Sequence, residues 1–316
     1  MAVPPYYIIG GAWSRGNLVA FVGAGASLIG RPDPHAAWNN PSSAFYPKAS
    51  ELAEFLAIAA KFPSDDPNER CDLAKVSSYY ALAGGRGPLR AELRKALGPL
   101  LADGTPRCQP GEIHKLLASL PGPQVIVVTN YDTLVEQAFD AVNRPYHLLV
   151  YPADRKSHGN ATMWIPHGEK PSFIEPNNLD LDFSETIIFK MHGSISQDDK
   201  LDSFVITEED YVDFLSRMTA TSAIPAQILD YLRHRSLLFL GYSLRDWNLR
   251  LILRNLNTVL MQGQPIRMDE NGDEVLSWSI QLHPSPVETE LWGKRSVKIY
   301  DQNVEEFARQ VQPEIK

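Results

Sequence analysis

The sequence predicts an α/β chain built on a doubly wound parallel sheet. Three observations point there. Short apolar runs at 18–22, 124–128, 186–191 and 236–240 are bounded by Gly, Pro or polar turn residues, as buried strands are. Stretches of helical periodicity separate them, and strands alternating with helices imply a parallel sheet covered on both faces. The residues with chemical capacity cluster directly after those runs, where the carboxyl ends of strands bind ligands in such sheets.

Taken in order, the first 17 residues, with Pro4, Pro5 and a Gly10-Gly11 pair, are expected to form a loop, either a docking arm or a short first element. The first strand is 18–22. Residues 30–47 hold four prolines and predict a long loop. Helical periodicity covers 50–60, 72–83 and 88–101, punctuated by Pro63, Pro67 and Gly84-Gly85, and 112–120 is a further short helix. Pro121 and Pro123 lead into the strand 124–128, followed by a helix over 132–142 and a strand over 146–151. The polar stretch 152–183 is expected to be a loop or small insert. After the strand 186–191, Thr207 and Asp210 make a capping box that starts a helix. The strand 236–240, a helix over 244–256, strands at 274–282 and 296–300 and a helix over 304–311 complete the chain. The expected organisation is one domain over 1–316, with a helical subdomain at about 48–121 and a loop-rich insert at about 152–184.

Composition narrows the function classes. A chain of 316 residues, 44% apolar and 22% charged, is an ordinary globular protein. A net charge of −8 without clustered Lys and Arg argues against direct nucleic-acid binding. Nothing approaches an apolar run of membrane-spanning length, and no secretory signal is evident, so a cytoplasmic protein with no membrane partner is expected. The two cysteines, Cys71 and Cys108, cannot build a four-thiolate zinc ribbon, and no ligand cluster of His, Asp or Glu has metal spacing. No metal is expected.

Four segments carry the candidate chemistry. Gly23-Ala24-Gly25-Ala26-Ser27 follows the first strand, where glycines let backbone approach a phosphate; a tight turn without ligand is the alternative. Leu28 stands where a dinucleotide fingerprint needs its third Gly, so a hydride-transferring dehydrogenase is a poor match. Thr129-Asn130-Tyr131-Asp132 follows the second strand. The Asn130 amide can hold a ribose hydroxyl and a water together, or make an Asx turn into the helix, whose first turn Asp132 suits. Three His-Gly pairs occur, at 158, 167 and 192, and only His192 directly follows a clear strand. Gly241-Tyr242-Ser243-Leu244-Arg245-Asp246 opens a helix, either binding a ribose or phosphate or simply capping that helix. Asn130 and His192 are both expected at strand ends outside the core.

These segments, in this order from about Leu18 to Tyr300, resemble the sirtuin-like family of NAD-consuming domains. The resemblance implies a Rossmann-like fold, with Asn130 and His192 catalytic. Gly23, Ala24, Gly25, Ser27, Asp33, Thr129, Asp132, Gly241, Ser243 and Asp246 would then contact NAD. Asp33 comes from Gly30-Arg31-Pro32-Asp33, which lies one residue closer to the glycine loop than the family pattern. The helices between the first two strands would occupy the place of the zinc-bearing small domain of deacylating members. The implied activity is NAD hydrolysis to nicotinamide and ADP-ribose, with NAD as substrate, in a bacterial antiphage effector that depletes NAD. Such an effector implies a homo-oligomer and an activating partner, an ATPase or nucleic-acid-guided sensor. An NAD-dependent protein deacylase and a non-catalytic NAD- or nucleotide-binding regulatory module remain open alternatives.

Overall fold

In the computed structural model, residues 3–33, 36–152, 161–219, 224–242 and 277–315 are described. Helix α1 (Tyr6–Ser14) precedes β1 (Leu18–Val22), and a 3-10 turn (Ala24–Ser27) follows it. Four helices come next: α2 (Ala49–Ala60), α3 (Pro67–Arg70), α4 (Leu73–Gly84) and α5 (Arg86–Leu97). Then come α6 (Glu112–Ser119), β2 (Val125–Val128), α7 (Leu134–Ala141) and β3 (His147–Val150). Strands β4 (Thr162–Ile165), β5 (Ser172–Ile174) and β6 (Ile187–Lys190) follow, then the short hairpin β7 (Gly193–Ser194) and β8 (Ser203–Phe204). Helices α8 (Glu208–Thr219) and α9 (Ala226–Arg233) lead to β9 (Ser236–Leu240). The last described elements are β10 (Ser277–Gln281), α10 (Pro286–Gly293), β11 (Val297–Asp301) and α11 (Val304–Val311).

The main sheet has nine strands in the order β11-β10-β9-β1-β2-β6-β3-β4-β5. Every pairing from β11 through β3 is parallel, while β3–β4 and β4–β5 are antiparallel. Alternate residues build two cores. Val19, Phe21, Val127, Phe189 and Phe239 face α8 and α9, whereas Leu18, Ala20, Val22, Ile126 and Leu240 face α1, α6, α7 and α11. Both faces are therefore dry, which is why the central strands carry apolar residues at every position. The fold is a doubly wound, Rossmann-like α/β sheet.

A third core lies over the carboxyl ends of the strands. Leu52, Leu56, Val76, Leu89, Leu93 and Leu97 of α2, α4 and α5 pack with Leu134, Ile195, Phe204 and Ile206. The helix α6 packs on the sheet instead, through Ile113, Leu116 and Leu117. The Pro-rich loop before α2 is pinned by buried cations. Arg107 donates to the carbonyls of Pro41, Ser43, Lys95 and Gly98, and Arg31 pairs with Glu51 at 2.6 Å.

Two expectations are narrowed or corrected. The segment before β1 is the short first element rather than a docking arm, a helix that Pro4 and Pro5 precede and whose start they fit. The Gly10-Gly11 pair that suggested a loop has a packing cause: a Cβ on Gly10 would stand 2.7 Å from Cβ of Glu314. The stretch 152–183 adds β4 and β5 to the sheet edge, joined by a turn at Gly168 (φ +74°). Pro166 and Pro171 hid them, since edge strands tolerate nearby prolines that a central strand would not. The helix expected over 244–256 lies outside the described residues, as does the start of the strand expected from 274. No helix among the described residues is long and apolar enough to cross a membrane.

Candidate functional site

Four consecutive strands, β9, β1, β2 and β6, end at one level. Val22 pairs with Leu240 on one side and Val128 on the other, and Val128 pairs with Lys190. The next residues on these strands are Gly241, Gly23, Thr129-Asn130 and Met191-His192, so the sheet brings all four candidate segments to one rim. From β1 the chain builds outward on one side through β2 and on the other through β9, which places the switch point of the sheet beneath the glycine loop.

The glycines there are required by close backbone packing. A Cβ on Gly23 would lie 2.7 Å from Cα of Tyr242, and one on Gly25 would lie 2.8 Å from Cα of Gly241. Gly241 itself holds φ +62°, in the left-handed region that favours glycine. The Gly23 and Gly25 amides donate to the Leu240 and Gly241 carbonyls, at 3.0 and 2.8 Å. Both are therefore committed to the fold, which leaves Ala24, exposed at the start of the 3-10 turn, as the loop residue open to a ligand.

Asn130 is buried, and its Nδ2 donates both to the Gly23 carbonyl at 2.9 Å and to Ser27 Oγ at 2.7 Å. Ser27 Oγ in turn donates to Asp132 Oδ2 at 2.6 Å, while Asp132 Oδ1 accepts from the Leu134 amide at 3.1 Å. This settles the amide orientation, because two acceptors fix the nitrogen side. Oδ1 of Asn130 is the group left to accept from a ligand hydroxyl or water, with no partner among the described residues. Asp132 therefore lies just before α7 rather than in its first turn, accepting the first helical amide, and it also orients Asn130 through Ser27. Thr129 is tied down by its amide and hydroxyl, both donating to the Val22 carbonyl at 3.0 and 3.2 Å.

His192 is 4% exposed and lies edge-on against Tyr211 and Phe214 of α8, with ring centroids 6.1 and 5.8 Å away. Both residues sit at strand ends as expected, but neither is open to solvent: Asn130 and His192 are buried, His192 against Tyr211 and Phe214 of α8. Behind His192, Gly193 turns at φ +90° into the hairpin, and the His192 carbonyl accepts from the Val205 amide at 2.9 Å.

Beneath this rim lies a buried group of ionisable residues that sequence patterns did not single out. Lys190 is fully buried; its Nζ donates to the Asp132 carbonyl and stands 3.2 Å from Glu136 Oε1, as an ion pair rather than an aligned hydrogen bond. Burial raises the Glu136 carboxyl, an effect the Lys190 charge opposes. On the third core, burial pushes the half-buried Cys108 thiol up to about 12, with Asp132 adding to it, so the thiol form is favoured there. The only sequence signals of Lys190 and Glu136 were a Lys ending the apolar run Ile187-Ile188-Phe189 and a Glu inside the apolar face of α7.

His114 has a consequence for pH. Burial pushes it down to about 4, Asp132 opposing and Lys190 reinforcing the shift, and its Nδ1 accepts from the Gly111 amide at 3.2 Å. Between pH 6.5 and about 4 the unfolded chain binds a proton there that the folded chain does not. Stability is therefore expected to fall as pH drops through that window, by on the order of 1–3 kcal/mol, and to be insensitive to this group above it. Urea unfolding at pH 7 and pH 5 measures the loss, and His114→Gln should flatten it; an unchanged slope in that variant excludes His114 as the cause.

Asp33 lies exposed on the loop before α2, not in the Asn130 network. Ser243 and Asp246 fall outside the described residues. Among the described residues, no group of three or more His, Cys, Asp or Glu side chains is placed to hold a metal ion.

The SIR2-like domain model matches residues 124–268. The chain is 28% identical over 257 residues to the NAD(+) hydrolase ThsA of Enterococcus faecium, covering 80% of this chain and 42% of that protein. It is 26% identical over 275 residues to the NAD(+) hydrolase ThsA of Acinetobacter baumannii, covering 84% of this chain and 46% of that one. The chain thus spans less than half the length of these relatives. A solved Sir2 mutant with p53 peptide and NAD aligns over 94% of this chain and 92% of its own, at 15% identity and a TM-score of 0.35. The matched segment holds the ends of β2, β6 and β9 with Asn130, His192 and Gly241, so the likeness to the SIR2-like domain covers the strand ends that build the candidate site.

Proposed function

We propose that this chain cleaves the nicotinamide–ribose bond of NAD with water, giving nicotinamide, ADP-ribose and a proton. The observation that carries the reading is the pairing of an oriented Asn130 amide with His192 on neighbouring strand ends, beside the glycine loop. Nicotinamide departs as a neutral molecule from a cationic ring, so no strong acid is needed. The site must instead steady an oxocarbenium-like ribose and deprotonate the attacking water. Asn130 Oδ1 is placed to hold that water or a ribose hydroxyl. His192 is the base, a residue type that titrates near neutrality. Ala24 and the neighbouring turn would face the pyrophosphate, with Gly241, Ser243 and Asp246 toward the adenosine half and Asp33 a candidate from the loop. Thr129 and Asp132 would support the nicotinamide ribose side.

The relatives named as NAD(+) hydrolases support this assignment, and they suggest for this chain the role of an NAD-depleting effector in antiphage defence. A homo-oligomer and an activating ATPase or nucleic-acid-guided sensor belong to the same proposal. A deacylase is disfavoured because two cysteines, one exposed and one half-buried, cannot form its zinc ribbon.

Incubating the pure protein with NAD, alone and with candidate partners, and separating the products by chromatography tests the reading. Equimolar nicotinamide and ADP-ribose are expected, with a minor cyclic product permitted and no change on adding chelator. Intact NAD under every condition would leave a non-catalytic binding module as the better description.

A further inference from the structure

Across the sheet, one row of paired residues runs Leu240, Val22, Val128, Lys190, Val150. Four of the five are apolar. Lys190 takes the fourth place with no exposed surface, on the same face as Ile188 and against the α6–α7 side of the sheet. An ammonium is costly to bury there, and an aliphatic residue would fill the row more cheaply. What distinguishes this position is the carbonyl it meets. Nζ donates to the main-chain oxygen of Asp132, at the entry to α7, and Glu136 in the first turn of that helix balances the charge at 3.2 Å.

From Asp132 the contacts continue to the rim. The Asp132 carboxylate takes the Ser27 hydroxyl at 2.6 Å, and Ser27 takes the Asn130 amide at 2.7 Å. The same lysine stands two residues before His192 on β6. It therefore braces the Asn130 segment of β2 against the His192 segment of β6 from below.

We propose that Lys190 is a positioning residue for Asn130, holding the Asp132 main chain so that the Asp132–Ser27 link fixes the Asn130 amide toward the ligand. Its consequence for turnover rests on the NAD-cleavage reading; the positioning itself does not. The glycine loop shares Ser27 with this link, but its Gly23 and Gly25 amides are held separately by the Leu240 and Gly241 carbonyls, so NAD affinity should change less than turnover when the brace is lost.

The test pairs Lys190→Met with Glu136→Gln, so that no lone carboxylate is left in the core, and uses Glu136→Gln alone as the control that keeps the Nζ bond. The first readout is solvent exchange of the Asn130 side-chain amide protons, followed by NMR on the full chain with 15N-labelled asparagine. The second is steady-state nicotinamide release. In the double variant, exchange should quicken at least tenfold and kcat fall at least tenfold, with KM for NAD changing less than threefold. The control should stay within threefold of wild type in all three. A folded double variant with unchanged exchange and kcat overturns the proposal, leaving Lys190 a purely structural residue. If the double variant does not fold, Lys190→Gln with Glu136→Gln replaces it, since glutamine is too short to reach the Asp132 carbonyl and should show the same pattern. If wild type releases no nicotinamide, the hydrolase reading fails while the exchange rates still decide the positioning.

Discussion

His192→Ala is expected to abolish the proposed nicotinamide release, lowering kcat by about 10²–10⁴-fold, the usual contribution of a positioned general base. Asn130→Ala should cost a similar amount, on the order of 10²–10³-fold, as when one preorganised hydrogen-bonding group is removed from a charged transition state. Burial complicates the comparison. The His192 ring is packed edge-on by Tyr211 and Phe214, so alanine also forfeits ring contacts worth about 0.5–1.5 kcal/mol beyond their area. Thermal unfolding of each variant must therefore accompany the kinetics. His192→Gln refills most of the volume and should be as inactive as alanine while unfolding closer to wild type. Normal turnover in a folded His192→Ala would remove His192 from the chemistry and turn attention to His167, on the turn between β4 and β5.

Gly193→Ala should be the most damaging single-methyl change near the site. The residue holds φ +90°, and its Cβ would fall 2.1 Å from the Ser203 carbonyl oxygen, which is backbone of β8 and cannot rotate away. Left-handed strain of about 1–2 kcal/mol adds to an overpacking cost of about 1–3 kcal/mol, so a loss of about 2–5 kcal/mol in unfolding free energy is expected. The hairpin also carries Phe204 into the third core and sets the strand end at His192, so turnover should fall with stability. Gly168→Ala is the control, since it shares positive φ at +74° but meets nothing within 4 Å. It should lose only the strain, about 1–2 kcal/mol. Equal losses in the two variants would mean that the contact with β8 contributes nothing.

Local physics made much of this fold legible. The strand over 236–240 and the helix over 304–311 match their expected bounds. The Thr207 capping box is present as anticipated: Asp210 Oδ2 accepts the Thr207 amide at 2.9 Å, and the Asp210 amide donates to Thr207 Oγ1 at 3.2 Å. Those features depend on neighbours in sequence. What could not be read depends on distant contacts. Gly10 looked like a loop residue because its partner, Glu314, is at the other end of the chain. Gly23 and Gly25 were expected to turn their amides to a phosphate, but β9 claims both. Lys190 and Glu136 lay inside apolar runs, where a charge normally marks a strand end or a solvated face, and only the folded row of strands exposes them as buried partners. The candidate segments themselves were visible because each directly follows its strand, and a parallel sheet then has little choice about where they meet.

In the proposed reaction water, not an acylated side chain, receives the ribose. The core of α2, α4 and α5 packs with Leu134, Ile195 and Phe204 beside the strand ends, and Arg107 pins the Pro-rich loop to the α5 end; the proposed reaction takes this cover to leave no groove for an extended peptide. Nicotinamide release should be followed from NAD with and without an acetyl-lysine peptide, with mass analysis of the ribosyl product. The same rate is expected in both mixtures, with ADP-ribose as the main co-product and an intact acetyl group on the peptide. Release that occurs only when the peptide is present, with the acetyl group transferred to ADP-ribose, would contradict it.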